Sequence, residues 1–160
     1  MKFSELKGKP VVDLADAKKM GEVEDLLVDP ESHRILTLKV KTGLFSAAQL
    51  VPAGYIKSVG SDAVTISASD SSDPGPAGSG RPTQPIEMTS IMGNKVVTDA
   101  GTVVGDVRDV LFEWVSLMIT GYEVREGGLF SKPHEFAATP DVRYGDKIIT
   151  IPAELLNHPV

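Results

Sequence analysis

Gly21-Glu22-Val23-Glu24-Asp25-Leu26-Leu27-Val28-Asp29 returns 84 residues later as Gly105-Asp106-Val107-Arg108-Asp109-Val110-Leu111-Phe112-Glu113. Outward from that stretch the correspondence continues. Val11-Val12 answers Val96-Val97, Leu44-Phe45-Ser46 answers Leu129-Phe130-Ser131, and Val64-Thr65-Ile66 answers Ile149-Thr150-Ile151. The lead-ins match as well, Leu6-Lys7-Gly8 with Ile91-Met92-Gly93. The offset holds at 84 or 85 throughout, which marks a tandem duplication. Residues 1–66 form the first copy and residues 86–160 the second. Residues 67–85 lie between them, and their Asp70-Ser71-Ser72-Asp73-Pro74-Gly75-Pro76-Ala77-Gly78-Ser79-Gly80 run reads as a flexible linker too poor in apolar surface to order itself.

Within each copy, short runs rich in β-branched residues are punctuated by Gly, Pro and Asp, which predicts an all-β fold. In Ile35-Leu36-Thr37-Leu38-Lys39-Val40-Lys41, the residues Leu36, Leu38 and Val40 share one face and Thr37, Lys39 and Lys41 the other, the period-two mark of a half-buried strand. Val23 to Val28 reads as its partner across the turn Asp29-Pro30-Glu31-Ser32-His33. The second copy is expected to shorten this turn to about Glu113-Trp114-Val115-Ser116. Pro52 to Val59 reads as a strand end followed by a short helical turn, and Ala63 to Ser67 as a closing strand. Five or six such strands predict a small antiparallel barrel in each copy, since closure removes unpaired edges. A unit of this size is marginal alone, so the copies are expected to dock on each other or to form a homodimer. One continuous core built from both ends would count against self-contained barrels.

The pattern Gly-x-Val-x-Asp, then Asp-Pro-Glu, an alternating strand, apolar-Pro and Ile-x-x-Val-Gly-x-Asp-Ala resembles the PRC-barrel domain. The residues that carry it are Gly21, Val23, Asp25, Asp29, Pro30, Glu31, Pro52, Ile56, Val59, Gly60, Asp62, Ala63 and Ile66. The second copy keeps Gly105, Val107, Asp109, Gly145, Asp146 and Ile151 but lacks Asp-Pro-Glu. That domain occurs in the cytoplasmic part of the photosynthetic reaction-centre H subunit and in the C-terminal half of a ribosome-maturation factor. The resemblance implies a fold and a habit of binding proteins, and no reaction.

Composition narrows the chemistry. The 160 residues are 41% hydrophobic and 24% charged, and none is Cys, so disulfides, thiolate metal sites and cysteine nucleophiles are excluded. No apolar run approaches the roughly 18 residues of a membrane span. The charged start Met1-Lys2-Phe3-Ser4-Glu5 is unlike a secretory leader, which predicts a cytoplasmic protein. The net charge is −6, with the first copy neutral and the second at −5. An acidic chain without base-stacking aromatics disfavours direct RNA binding, although Arg34, Lys39, Lys41 and Lys57 could cluster.

Asp29, Glu31 and His33 lie close enough in sequence for a weak cation site, but turn chemistry explains them without one, and no metal or cofactor is expected. Asp25 and Asp109 recur on an otherwise apolar strand, where a carboxylate can take backbone N–H groups at a bulge. His33, His134 and His158 lack nucleophile partners, and phosphate-loop and metalloprotease motifs are absent, so no catalytic residue is assigned. The aromatic features carry the binding expectation. Trp114, the only Trp, falls at a hairpin tip among Phe112, Leu117 and Met118, where it docks on the other copy, meets an outside partner, or joins the core. Phe45 and Phe130 open equivalent loops that anchor into the barrels or form a contact surface. Phe112, Trp114, Leu117, Phe45 and Phe130 are therefore the candidate partner-binding residues of a non-enzymatic protein-interaction module. The alternative is an accessory factor in RNA metabolism or ribosome maturation acting through a ribosomal protein.

Overall fold

The computed structural model describes residues 1–67, 84–126 and 133–157. The first copy runs through a short helix α1 (Phe3–Leu6) and strands β1 (Pro10–Asp13), β2 (Lys18–Val28), β3 (Ile35–Lys41) and β4 (Gln49–Pro52). A 3-10 turn (Ala53–Tyr55) then leads to β5 (Ile56–Val59) and β6 (Val64–Ile66). The second copy repeats this course. It begins with β7 (Ile86–Glu87) and α2 (Met88–Ile91), and continues through β8 (Lys95–Thr98), β9 (Val103–Glu113), β10 (Met118–Arg125) and β11 (Pro133–Ala137). It closes with β12 (Arg143–Tyr144), β13 (Ile148–Ile151) and a 3-10 turn (Ala153–Asn157). The expected linker, apart from its ends, lies outside the described residues.

Each copy builds its own curled sheet, with the same strand order: β4-β3-β2-β1-β6-β5 in the first and β11-β10-β9-β8-β13-β12 in the second. The expected antiparallel pairing holds except at one place in each sheet. β1 runs parallel to β6, with Val11 opposite Val64, and β8 parallel to β13, with Val96 opposite Ile149. The remainder of each ladder is antiparallel.

The repeated glycine has a steric cause. A Cβ at Gly21 would sit 2.1 Å from the Lys41 carbonyl oxygen, and one at Gly105 2.2 Å from that of Arg125. Only glycine lets β2 and β9 pass that close to the ends of β3 and β10. On β3, Leu38 and Val40 are buried as the alternation demands. Leu36, expected on the same face, is only half-buried and Ile35 is buried in its stead, because the β2–β3 register slips between the Leu27–Thr37 and Val28–Ile35 pairs and shifts the alternation by one residue.

The buried apolar side chains form one continuous cluster drawn from both copies. The two copies are thus not self-contained barrels: they share one packed core, and β7 of the second copy adds to β2 in the first sheet. Among the described residues, no helix is long and apolar enough to cross a membrane.

Candidate functional site

The copies are held together by exchanged arms. α1, at the start of the first copy, packs on β9 of the second, and α2, at the start of the second, packs on β2 of the first. Phe3, Leu6, Met88 and Ile91 are each no more than 2% exposed. Two such side chains contribute about 3–6 kcal/mol of gross burial to each arm. The arms also add backbone pairing: β7 joins β2, with Leu27 opposite Glu87, while Lys2 bridges to Leu111 and the Phe112 N–H donates to the Met1 carbonyl at 2.9 Å.

The repeated carboxylates are the sockets for these arms. Asp109 accepts the Ser4 N–H at 3.1 Å, the Ser4 hydroxyl and the Val110 N–H at 2.9 Å. Asp25 accepts the Thr89 N–H at 3.1 Å, the Thr89 hydroxyl and the Leu26 N–H at 2.8 Å. Ser4 and Thr89 are repeat equivalents, so the same contact is made twice with the copies interchanged. Burial holds the Asp25 carboxyl above its ordinary range, against the pull of its donors, and the nearby Glu87 charge adds to the rise. One contact reverses sign between the copies. Lys2 pairs with Glu123 at 2.6 Å, whereas the equivalent pair is Glu87 with Lys39 at 3.1 Å. A lysine on one arm corresponds to a glutamate on the other, and the socket charges are switched to match.

The hairpin tips meet on the same pseudo-two-fold axis. Arg34 bridges to its own repeat equivalent, Met118. The Ile35 N–H donates to the Leu117 carbonyl at 2.7 Å, and the Ile119 N–H donates to the His33 carbonyl at 3.0 Å. His33 and Leu117 share a left-handed conformation, with φ of 61° and 56°. The second turn is therefore not shortened, contrary to the sequence reading. In it, Glu113 takes the part of Asp29, accepting the Val115 and Ser116 N–H groups at 2.9 and 2.7 Å, while Asp29 accepts that of Glu31 at 2.9 Å. A longer carboxylate closes the same turn.

The expected site residues scatter. Phe112 is buried, and Leu117 and the half-buried Trp114 pack against it and against Leu6, Ile56 and Val59 of the first copy, so this tip serves the union of the copies. Phe45 is fully exposed and Leu44 is 83% exposed, the opposite of a loop anchored into its barrel. The chain turns there, through residues 42–48, beyond the last ladder pair of β3 with β4, and among the described residues nothing covers these side chains. Phe130 and His158 lie outside the described residues. His134 sits on the edge strand β11 beside Phe136.

His33 stays close enough to Asp29 to feel its charge, but its ring is taken up by the second copy. It is 4% exposed, its Nε2 lies 3.2 Å from the Val142 carbonyl, and its ring meets that of Tyr144 edge-on at 5.2 Å. Burial holds it below its ordinary value; the Val142 carbonyl opposes that effect and the Arg143 charge reinforces it. Tyr144 in turn shares a hydrogen bond with Tyr122. Desolvation raises both phenols, that of Tyr144 to about 12. These titratable groups are committed to packing and to one another. The exchanged arms, the reversed ion pair and the His33–Tyr144 contact all escaped the sequence reading. Applying the 84–85 offset to Ser4, Thr89, Lys2 and Glu87 would have exposed the first two.

Residues 1–72 and residues 86–156 each match the family model of the PRC-barrel domain. No curated protein matches the chain. With two matched segments spanning most of the sequence, and two sheets of one strand order built on them, the chain belongs to the PRC-barrel domain family and carries the domain twice.

Proposed function

We propose that this protein is a non-enzymatic module that binds other proteins, with its two barrels acting as a single platform. The observation that carries this reading is the projecting loop before β4. Leu44 and Phe45 are 83% and 102% exposed, and Leu50, on the edge strand they lead into, is 57% exposed. A large apolar side chain held wholly in water is costly and is a common mark of an interaction site. Among the described residues, the outer edge of β4 beside it pairs with no strand, which offers backbone groups to a partner strand. The repeated carboxylates support the same reading, since Asp25 and Asp109 serve as sockets for the arms. Direct RNA binding is less well supported, because Lys39, one of the four basic residues that could cluster for it, is paired with Glu87; an accessory factor acting through a ribosomal protein would be one form of the protein-binding reading. The test is affinity capture from host extract with the full chain, comparing wild type with a Leu44→Ala/Phe45→Ala variant. The reading expects a defined protein that the variant fails to retain. Identical capture by both would overturn it.

A further inference from the structure

The repeat equates Pro30 with Trp114, and these two residues stand at opposite clefts between the barrels. In the first cleft, the indole and Leu117 close against Leu6, Ile56 and Val59, leaving a void of about 10 Å³. In the second, the counterpart of the indole is only a pyrrolidine ring, and a cleft of about 800 Å³ remains open. Its walls come from both copies: Pro30 of the first faces Ile86, Ile91, Met92, Tyr144 and Lys147 of the second. Tyr144 and Ile91 occupy the repeat positions of Val59 and Leu6, the part of the Trp114 surface that has a counterpart here; beyond them, Thr89, Ser90, Asn94 and Asp146 give the cleft a polar side.

We propose that this open cleft is a binding site for an aromatic side chain presented by a partner protein, seated where the pseudo-two-fold axis would put a second Trp114. The inference rests on the protein-binding reading and gives it a second, separate contact. Two arguments fix the occupant. The cleft is continuous with the inter-barrel interface, whose other end is already filled by an aromatic ring packed on equivalent residues. Its chemistry also suits a π-system: the Met92 thioether and the Tyr144 ring offer sulfur–aromatic and edge-to-face contacts, and Lys147 lies on the exposed rim, within the reach of a cation–π contact. The volume lies within the 300–1,000 Å³ span typical of ligand sites.

The test uses the full chain and N-acetyl-tryptophanamide as the probe, followed by amide NMR. Saturable shifts centred on Ile91, Met92, Tyr144 and Lys147 are expected, with N-acetyl-alaninamide producing none. Pro30→Trp, which supplies the missing indole from within, should abolish the response, and so should Met92→Arg, which crowds the cleft from its exposed side should the first variant fold poorly. Shifts scattered over both barrels, or probe binding undiminished in a folded variant, would overturn the proposal. Nuclear Overhauser contacts placing another segment of this chain in the cleft of the free protein would overturn it as well. Loss of a captured partner on changing Leu44 and Phe45, combined with no probe binding, would sink this inference alone and leave the module reading standing.

Discussion

Replacing Asp109 with Ala tests the exchanged arm where it is fastened. The carboxylate is 5% exposed and receives three donors: the Ser4 N–H, the Ser4 hydroxyl and the Val110 N–H. Hydrogen bonds to a charged group are each worth about 1.5–3 kcal/mol net, and buried donors left without a partner cost about 1–3 kcal/mol apiece. Ser4 is itself exposed, so with the arm in place water can take its two donors, and the loss is that of the two charge-assisted bonds, about 3–6 kcal/mol. The chain has a second route, which is to release Met1–Leu6 into water. That forfeits about 3–6 kcal/mol of burial by Phe3 and Leu6 together with the arm's backbone bonds to β9, and the freedom regained by six residues, at about 1–2 kcal/mol each, is large enough to offset both. The two routes are close in free energy, so the variant should lose about 3 kcal/mol and spend a measurable fraction of its time with the arm detached. Urea unfolding would report the loss, together with a lower m-value as the native state exposes more surface. Hydrogen exchange would show Phe3–Leu6 amides losing protection ahead of β8 and β9. A loss below about 1 kcal/mol with those amides still protected would refute the reasoning.

Lys2→Glu sets a second carboxylate beside Glu123, and Glu123→Lys sets a second amine beside Lys2; each should lower Tm, and the double reversal should recover most of the loss, checked by a double-mutant cycle. The depressed pKa of His33 means that the fold holds it neutral. Its contribution is full above the unfolded value of 6.5 and is lost as pH falls from there toward the folded value, at no more than about 1.4 kcal/mol per pH unit; His33→Gln should flatten that slope in urea titrations at pH 7 and pH 5. Gly21→Ala should cost about 1–3 kcal/mol, as the chain must move to clear the Lys41 carbonyl, whereas Gly60→Ala, whose Cβ would make an ordinary 3.4 Å contact, should be nearly silent by thermal melting.

The strands were legible because their signals are local. Alternation on β3, the Gly-x-Val-x-Asp strand and the turn at Asp29–His33 all follow from neighbours within a few residues. The repeat carried more, since it required both copies to share one topology, and they do. What was not legible is long-range. α1 and α2 are four residues each, too short for a helical period to show, and their role depends on sockets 105 and 64 residues away. The parallel pairing of β1 with β6 depends on the path of the chain through β2 to β5, which no strand pattern encodes. At the second hairpin tip, Trp114 and Leu117 find cover against the first copy while Val115 stays 74% exposed. The consequence of Pro30 at the matching position needed the geometry of both clefts. At the Phe45 loop, hydrophobicity alone does not bury a side chain: among the described residues no surface lies there to receive it, so the anchoring expectation is not met and the contact-surface one stays open.

The central claim is that arms and tips fuse the two barrels into one cooperative body. Trp114, the only Trp in the chain, reports directly on the contact between them. Urea unfolding followed in parallel by Trp114 emission and far-ultraviolet circular dichroism is therefore the most direct measurement. The account predicts superimposable transitions, with the indole entering water only as the sheets melt. An emission red shift completed at lower urea, while the β signal persists, would show barrels that part before they unfold and would contradict it.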